Sequence, residues 1–174
     1  MPFGPNVPYL GNTVSQDGLV TSRLRITCFS GRWAVPTLEL MSYPDIGSIF
    51  QLGKITKEEV MQTGPSRREC VLLLRGDDRL IGYAAVADSD YFPQWLDLRY
   101  AMHPDFRRQD YCSEGLSKLV HHLLEVRGIP GITAIISDHN AASRATARSI
   151  GMEQVWFQPV HAQGNGLFVI KRQG

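Results

Sequence analysis

The residues best suited to chemistry are Met102-His103-Pro104-Asp105-Phe106-Arg107-Arg108-Gln109-Asp110-Tyr111-Cys112-Ser113-Glu114-Gly115. This stretch joins an alternating apolar segment to a long amphipathic one, so it reads as a strand–loop–helix junction. A loop that opens a helix aims several backbone N–H groups at one point, and the helix dipole adds positive potential there. Arg107 and Arg108 bring charge to the same place. That chemistry is the binding of a phosphate or pyrophosphate. The competing reading is a pair of arginines on a solvated loop.

Acid–base candidates are few. Asp97 stands on the segment that leads into the loop, on its more polar face, and is the one candidate base. It acts directly or through water, or else it is a strand carboxylate paired with Arg99. Glu114 falls in a first helical turn, where the dipole alone favours a carboxylate. His103, before Pro104, reads as a turn residue. His121 and His122 fall mid-helix, one exposed and one half-buried. Cys112 sits near a helix N-terminus, where a lowered thiol pKa is expected, but no base partner for a nucleophile is evident. Tyr91, Phe92, Trp95 and Trp33 are either an aromatic rim or core. Trp156 and Phe157 are neighbours on an expected strand, one facing in and one out.

The elements that must position these groups follow from hydrophobic period. Residues 19–29 alternate with β-branched types and predict a strand. Residues 35–42 and 54–62 predict helices, the second with Thr56 and Glu59 as a capping box and Gly64-Pro65 as its stop. Residues 69–75 and 80–87 predict a hairpin around Gly76-Asp77-Asp78. Residues 95–102 alternate, with Leu96, Leu98, Tyr100 and Met102 on one face. Residues 113–127 place Leu116, Leu119, Val120, Leu123 and Leu124 at helical spacing, ended by Gly128 and Pro130. A buried strand over 132–137, a helix over 140–150 stopped by Gly151, and a hairpin of 153–160 with 167–172 complete the order. The strand–helix–strand passage over 95–137 implies a parallel crossover, and ligands in such sheets bind at strand carboxyl ends beside helix N-termini. The fold class is α/β (α+β mixed).

The composition narrows the function classes. With 174 residues, 43% hydrophobic and 20% charged, the chain is a globular domain over 19–174 with an irregular Pro- and Gly-rich arm at 1–18. A net charge of +1 argues against an extended nucleic-acid surface. Cys28, Cys70 and Cys112 lack CxxC spacing, so they read as reduced thiols and not as a zinc site. No run reaches the ~18 apolar residues of a membrane span, and the N-terminus lacks signal-peptide character. The expected location is cytoplasmic. Neither GxGxxG nor GxxxxGK[ST] occurs.

The segment LRYAMHPDFRRQDYCSEGL resembles the central acetyl-CoA-binding motif of the GCN5-related N-acetyltransferase (GNAT) superfamily. That motif runs from a strand through His/Asn-Pro to Gln/Arg-x-x-Gly-x-Gly/Ala and a helix. Arg107 matches its first position, Asp110 the first glycine and Cys112 the second Gly/Ala. Asn140-Ala-Ala-Ser143 with Gly151-Met152 is similar to the family's Asn-x-x-Ser/Ala…Gly-Phe motif. Thr21-Ser22-Arg23-Leu24 resembles the Thr-x-Arg-Leu opening of the branch that acetylates ribosomal-protein N-termini. The resemblance covers about 19–172 in element order, and its specific motifs about 94–152. It implies a central mixed, mostly antiparallel sheet of six to seven strands flanked by about four helices.

It also implies an N-acyltransferase that moves an acetyl or other acyl group from acetyl-CoA to an amine of a protein or small molecule, by direct attack and without a metal. The backbone at Met102 would hold the acyl carbonyl. Arg107, Arg108, Gln109, Asp110, Tyr111, Cys112 and Ser113 would wrap the pyrophosphate. Asn140 and Ser143 would contact the pantetheine arm or the sulfur side of the site. Asp110 departs from the pattern by adding a carboxylate where the phosphates would lie. Cys112 adds bulk, and Ala147 stands where many relatives carry a Tyr acid. These departures support an alternative, a weak or inactive GNAT-fold protein that binds a protein partner, such as a regulator or a phage-encoded host-takeover or virion-associated protein. A second copy of the chain is a further candidate partner.

Overall fold

A computed structural model describes residues 18–50 and 68–173. The expected arm up to residue 17 and the expected helix at 54–62, with its Thr56–Glu59 box, lie outside the described residues. The strands are β1 (Leu19–Val20), β2 (Leu24–Cys28), β3 (Glu69–Leu74), β4 (Leu80–Asp88), β5 (Leu96–Met102), β6 (Gly131–Ser137), β7 (Glu153–Val155) and β8 (Asn165–Lys171). They form one eight-stranded sheet in the order β1-β2-β3-β4-β5-β6-β8-β7. The described α-helices are α1 (Ala34–Met41), α2 (Pro44–Phe50), α3 (Tyr111–His121), α4 (Ala141–Ser149) and α5 (Gln158–His161). The chain divides into two compact units, Met1–Ala85 with Arg99–Gly115, and Val86–Leu98 with Leu116–Gly174.

In the first unit β2, β3 and the start of β4 pair antiparallel. The odd-numbered residues of β3, Val71 and Leu73, join Phe29, Trp33, Ala34, Leu40, Met41, Ile46, Leu80, Tyr83 and Ala101 in one buried cluster. Each of the larger aliphatic and Phe side chains contributes roughly 1.5–3 kcal/mol on leaving water. Trp33 is therefore core and not rim. The opposite face carries Leu24, Ile26 and Leu72, and the start of α3 comes down on it. A Cβ built on Gly115 would lie 2.6 Å from Leu72 Cδ2, so any larger residue there would force the buried Leu72 side chain to shift. The hairpin turn holds Asp78 at φ 55°, a left-handed conformation that Asp tolerates.

The segment 19–29 is not one strand but two. Thr21 N donates to Leu24 O at 2.9 Å and Leu24 N to Thr21 Oγ1 at 2.9 Å, closing a turn that folds β1 back on β2. This accounts for eight strands in place of six to seven. Helix α2 also went unforeseen. It opens on Pro44 with Asp45 in its first turn, an arrangement suited to a helix start.

In the second unit β6 pairs antiparallel with β8, and β7 lies on the far edge of β8. Leu96 and Asp97 of β5 pair parallel with Ile132 and Thr133 of β6, the crossover expected from the sequence. Trp95 covers Gly131 so closely that a Cβ there would lie 2.5 Å from the indole. Phe92 stacks on Trp95 at 4.8 Å, and Tyr91 meets Phe157 edge-on at 5.1 Å. The expected strand over 153–160 stops at Val155 and becomes the short helix α5. Pro159 sits in its first turn and has no N–H for a ladder. Trp156 and Phe157 thus follow β7, with Trp156 70% exposed. Helix α3 ends in a π-turn at His122–Val126, where His122 is buried and His121 exposed.

Candidate functional site

The first unit builds the junction. His103 N donates to Ile81 O at 2.8 Å, which fixes the end of β5. A 3₁₀ turn, Pro104–Phe106, follows, and His103 Nδ1 accepts from Asp105 N at 3.2 Å. That bond leaves Nε2–H of the neutral ring to donate to Tyr43 Oη, 3.3 Å away. Arg108 at φ 59° and Asp110 at φ 61° then carry the chain through two left-handed residues into α3. Asp110 keeps the loop shape that glycine would otherwise supply. Glu114 N bonds Asp110 O at 2.9 Å, so the amides of Tyr111 and Cys112 precede the first intrahelical bond. An anion-binding concavity of this kind needs only backbone geometry and a helix dipole.

Side chains within the loop are more committed than their types suggest. Arg107 Nε donates to Met102 O at 3.0 Å, and its Nη2 pairs with Asp45 at 2.8 Å. It brackets the strand end, the loop and α2. Gln109 Nε2 donates to Asp105 O at 2.9 Å and braces the 3₁₀ turn. Arg108 and Asp110 are exposed. Cys112 contradicts its expected activation. Burial pushes its thiol up to about 12, and at neutral pH it is no thiolate.

What sequence reasoning missed is the set of partners of Glu114, which it assigned to the helix dipole alone. Its carboxylate accepts from Thr21 Oγ1, from Ser22 Oγ at 3.1 Å, from Arg23 N at 3.0 Å and from Arg23 Nε at 2.6 Å. Burial alone would raise its pKa. The bonds from Thr21, Arg23 and Ser22 outweigh that and hold it down to about 2. Arg23 Nη1 also donates to Gln109 O at 3.0 Å, and its guanidinium lies 4.2 Å from the Tyr111 ring centroid. The β1–β2 turn is thereby clamped to the loop and to the first turn of α3. The signal was present as Thr21-Ser22-Arg23, but its partner lies 91 residues away from Arg23.

The second unit holds the remaining candidates. Asn140 caps α4, its Oδ1 accepting from Ser143 N at 3.0 Å. Asp97 Oδ1 accepts from Thr133 Oγ1 at 3.1 Å across the β5–β6 pair, and Asp97 is half-buried. Ala147 is fully buried. Among the described residues no cluster of His, Cys, Asp or Glu has the form of a metal site. No described helix is long and apolar enough to cross a membrane.

The architecture is a mixed, mostly antiparallel α/β sheet whose fifth strand runs through a left-handed loop into a helix. A sequence profile of the acetyltransferase (GNAT) domain matches residues 38–153. The chain belongs to the GNAT acetyltransferase family. Its fold is similar to a GNAT-family acetyltransferase from Bacillus anthracis at 18% identity and TM-score 0.73, covering 90% of this chain and 99% of that one. It is similar to a Vibrio cholerae protein assigned as a ribosomal-protein-serine acetyltransferase at 16% identity and TM-score 0.63, with coverages of 88% and 96%. It is also similar to an aminoglycoside acetyltransferase in complex with coenzyme A, at 14% identity and TM-score 0.67, with coverages of 86% and 95%. No curated protein matched the sequence.

Proposed function

We propose that this chain transfers an acetyl group from acetyl-CoA to a primary amine of a protein or small molecule. The observation that carries the reading is the loop that enters α3 through Arg108 and Asp110, both left-handed, directly after the strand end at Met102. The backbone of that loop fits a pyrophosphate, and the exposed Arg108 adds charge. Ligand-bearing relatives with this fold support the choice of coenzyme A. Acceptors named for relatives, a ribosomal protein and an aminoglycoside, support an amine.

In the reaction the amine lone pair attacks the thioester carbonyl and the C–S bond breaks; the new amide nitrogen gives up its extra proton, and the leaving thiolate takes up one proton to become coenzyme A. The backbone at Met102 holds the acyl oxygen, and Arg107, bonded to the Met102 carbonyl, keeps that backbone in place. Arg108, Gln109, Asp110, Tyr111, Cys112 and Ser113 surround the pyrophosphate, chiefly through main chain. A base must take the proton from the ammonium nucleophile, directly or through water, and Asp97, held by Thr133 within the second unit, is the candidate for it. Positioning and carbonyl polarisation supply most of the rate.

A second reading rests on two observations. Arg107 is already paired with Asp45, and Asp110 adds a carboxylate to the loop. Both weaken the hold on phosphate and favour a partner-binding protein on this fold. Incubating the chain with acetyl-CoA and a panel of amines (a peptide with N-terminal Ser, a polyamine, an aminoglycoside) separates the two. Release of coenzyme A thiol above the enzyme-free rate, with acetylated amine in the mass spectrum, supports transfer. Absence of both across the panel, in a chain that stays folded, supports the second reading.

A further inference from the structure

Two cysteines that have no part in the proposed reaction face each other across the sheet. In the β2–β3 register Cys28 lies opposite Cys70. Phe29 N donates to Glu69 O and Arg75 N to Arg23 O, each at 2.9 Å. Hydrogen-bonded pairs therefore fall on the odd-numbered residues of β2, and Cys28–Cys70 is a non-hydrogen-bonded pair. In such pairs the Cα atoms stand about 4.5 Å apart and the side chains are closest. A disulfide spans Cα separations of roughly 4.4–6.8 Å. Both side chains also leave the sheet on one face, the face of Leu24, Ile26 and Leu72, as the two-residue period of each strand requires.

We propose that Cys28 and Cys70 form a reversible cross-strand disulfide, made by exchange with a low-molecular-weight disulfide. The two thiols are unequal in access. Cys28 is part-exposed, whereas Cys70 is 2% exposed. Cys28 therefore meets the reagent. Its thiolate attacks one sulfur of RSSR, the S–S bond breaks, and RS⁻ leaves with a mixed disulfide on Cys28. Cys70 then gives up its proton and attacks the Cys28 sulfur, releasing the second RS⁻. In sum, two protein thiols and RSSR give one protein disulfide and two RSH. Burial raises both thiols above their ordinary values, and the Cys28 charge adds to the effect on Cys70. The first step is accordingly slow at neutral pH, while the second is favoured by proximity. The bond closes the chain between residues 28 and 70, a loop that contains α1 and α2.

The test uses the full chain with oxidised glutathione, followed by alkylation without reductant and peptide mapping. The expected result is a cross-linked pair of peptides carrying Cys28 and Cys70, with the intact mass lower by two hydrogens. Thermal unfolding should then shift upward by several degrees, and dithiothreitol should reverse it. Cys70→Ser should stop at the glutathione adduct on Cys28, and Cys28→Ser should leave Cys70 unmodified. The wild-type map alone decides the matter if either variant fails to fold. A persistent glutathione adduct on wild-type Cys28, a link from Cys28 to Cys112, or no oxidation of Cys28 after prolonged exposure each overturns the proposal.

Discussion

Replacing Glu114 with Gln removes the charge that gathers Thr21, Ser22 and Arg23 onto the start of α3, and it puts an amide where four donors converge. Glu114 titrates at about 2 against an ordinary 4.5. At 1.36 kcal/mol per pH unit that is roughly 3 kcal/mol of preference for the charged form in the folded state. Its partner side chain is 41% exposed and its own is 19% exposed, so solvent screens the pair. The expected loss in Glu114→Gln is accordingly about 1–2 kcal/mol at pH 7. The sign of the pH dependence follows from the depressed pKa. The contribution is complete above the unfolded value near 4.5 and declines as pH falls toward 2, with about two-fifths gone by pH 3.5. Urea unfolding of both proteins at pH 7, 5 and 3.5 measures this. The gap between them should be constant from 7 to 5 and narrower at 3.5. Equal stability at pH 7, or a gap that does not shrink on acidification, would refute the clamp.

Three other outcomes follow from the same geometry. Asp110→Gly should tighten acetyl-CoA binding by at least about tenfold, since like charges some 4 Å apart repel by roughly 4 kcal/mol at an effective dielectric of 20. An unchanged Kd by titration would mean that the carboxylate faces away from the phosphates. Arg107→Ala should cost about 1 kcal/mol in urea unfolding, because it leaves the Met102 carbonyl and Asp45 without their donor; a loss of binding with no change in stability would argue for direct phosphate contact instead. Cys112, with its pKa near 12, stays protonated at pH 8 and should alkylate about a thousandfold more slowly than a solvent-exposed thiol, gaining roughly tenfold per pH unit. Rapid labelling by iodoacetamide at pH 7 would overturn that assignment.

Much of the architecture was legible because it depends on local period. The hairpin at 69–87, the β5–loop–α3 passage and the helix that ends before Gly151 each rest on residues within a few positions of one another. What escaped was short or distant. Helix α2 is only two turns long and contains Gly47, so its short apolar set of Ile46, Ile49 and Phe50 gives little periodic signal. Pro159 ended β7 early, although a proline inside an expected strand was itself a warning. Thr21 broke the first strand with its own hydroxyl, a turn that competes with the ladder. At the site, the sequence located the loop but not the direction of its side chains. Arg107 turns back to Met102 and Asp45, and Glu114 turns toward β1 and β2. Cys112 was expected to gain acidity from the helix start, and desolvation overrode it. None of these orientations follows from spacing, because each depends on a partner brought up by the fold.

The most direct test of the account is isothermal titration of the folded chain with acetyl-CoA and with coenzyme A, at low and moderate salt. Micromolar binding of both, weakened by Arg108→Ala, is the result predicted for a loop that cradles a pyrophosphate. No heat up to millimolar ligand at either salt, from protein with an intact unfolding transition, would contradict it.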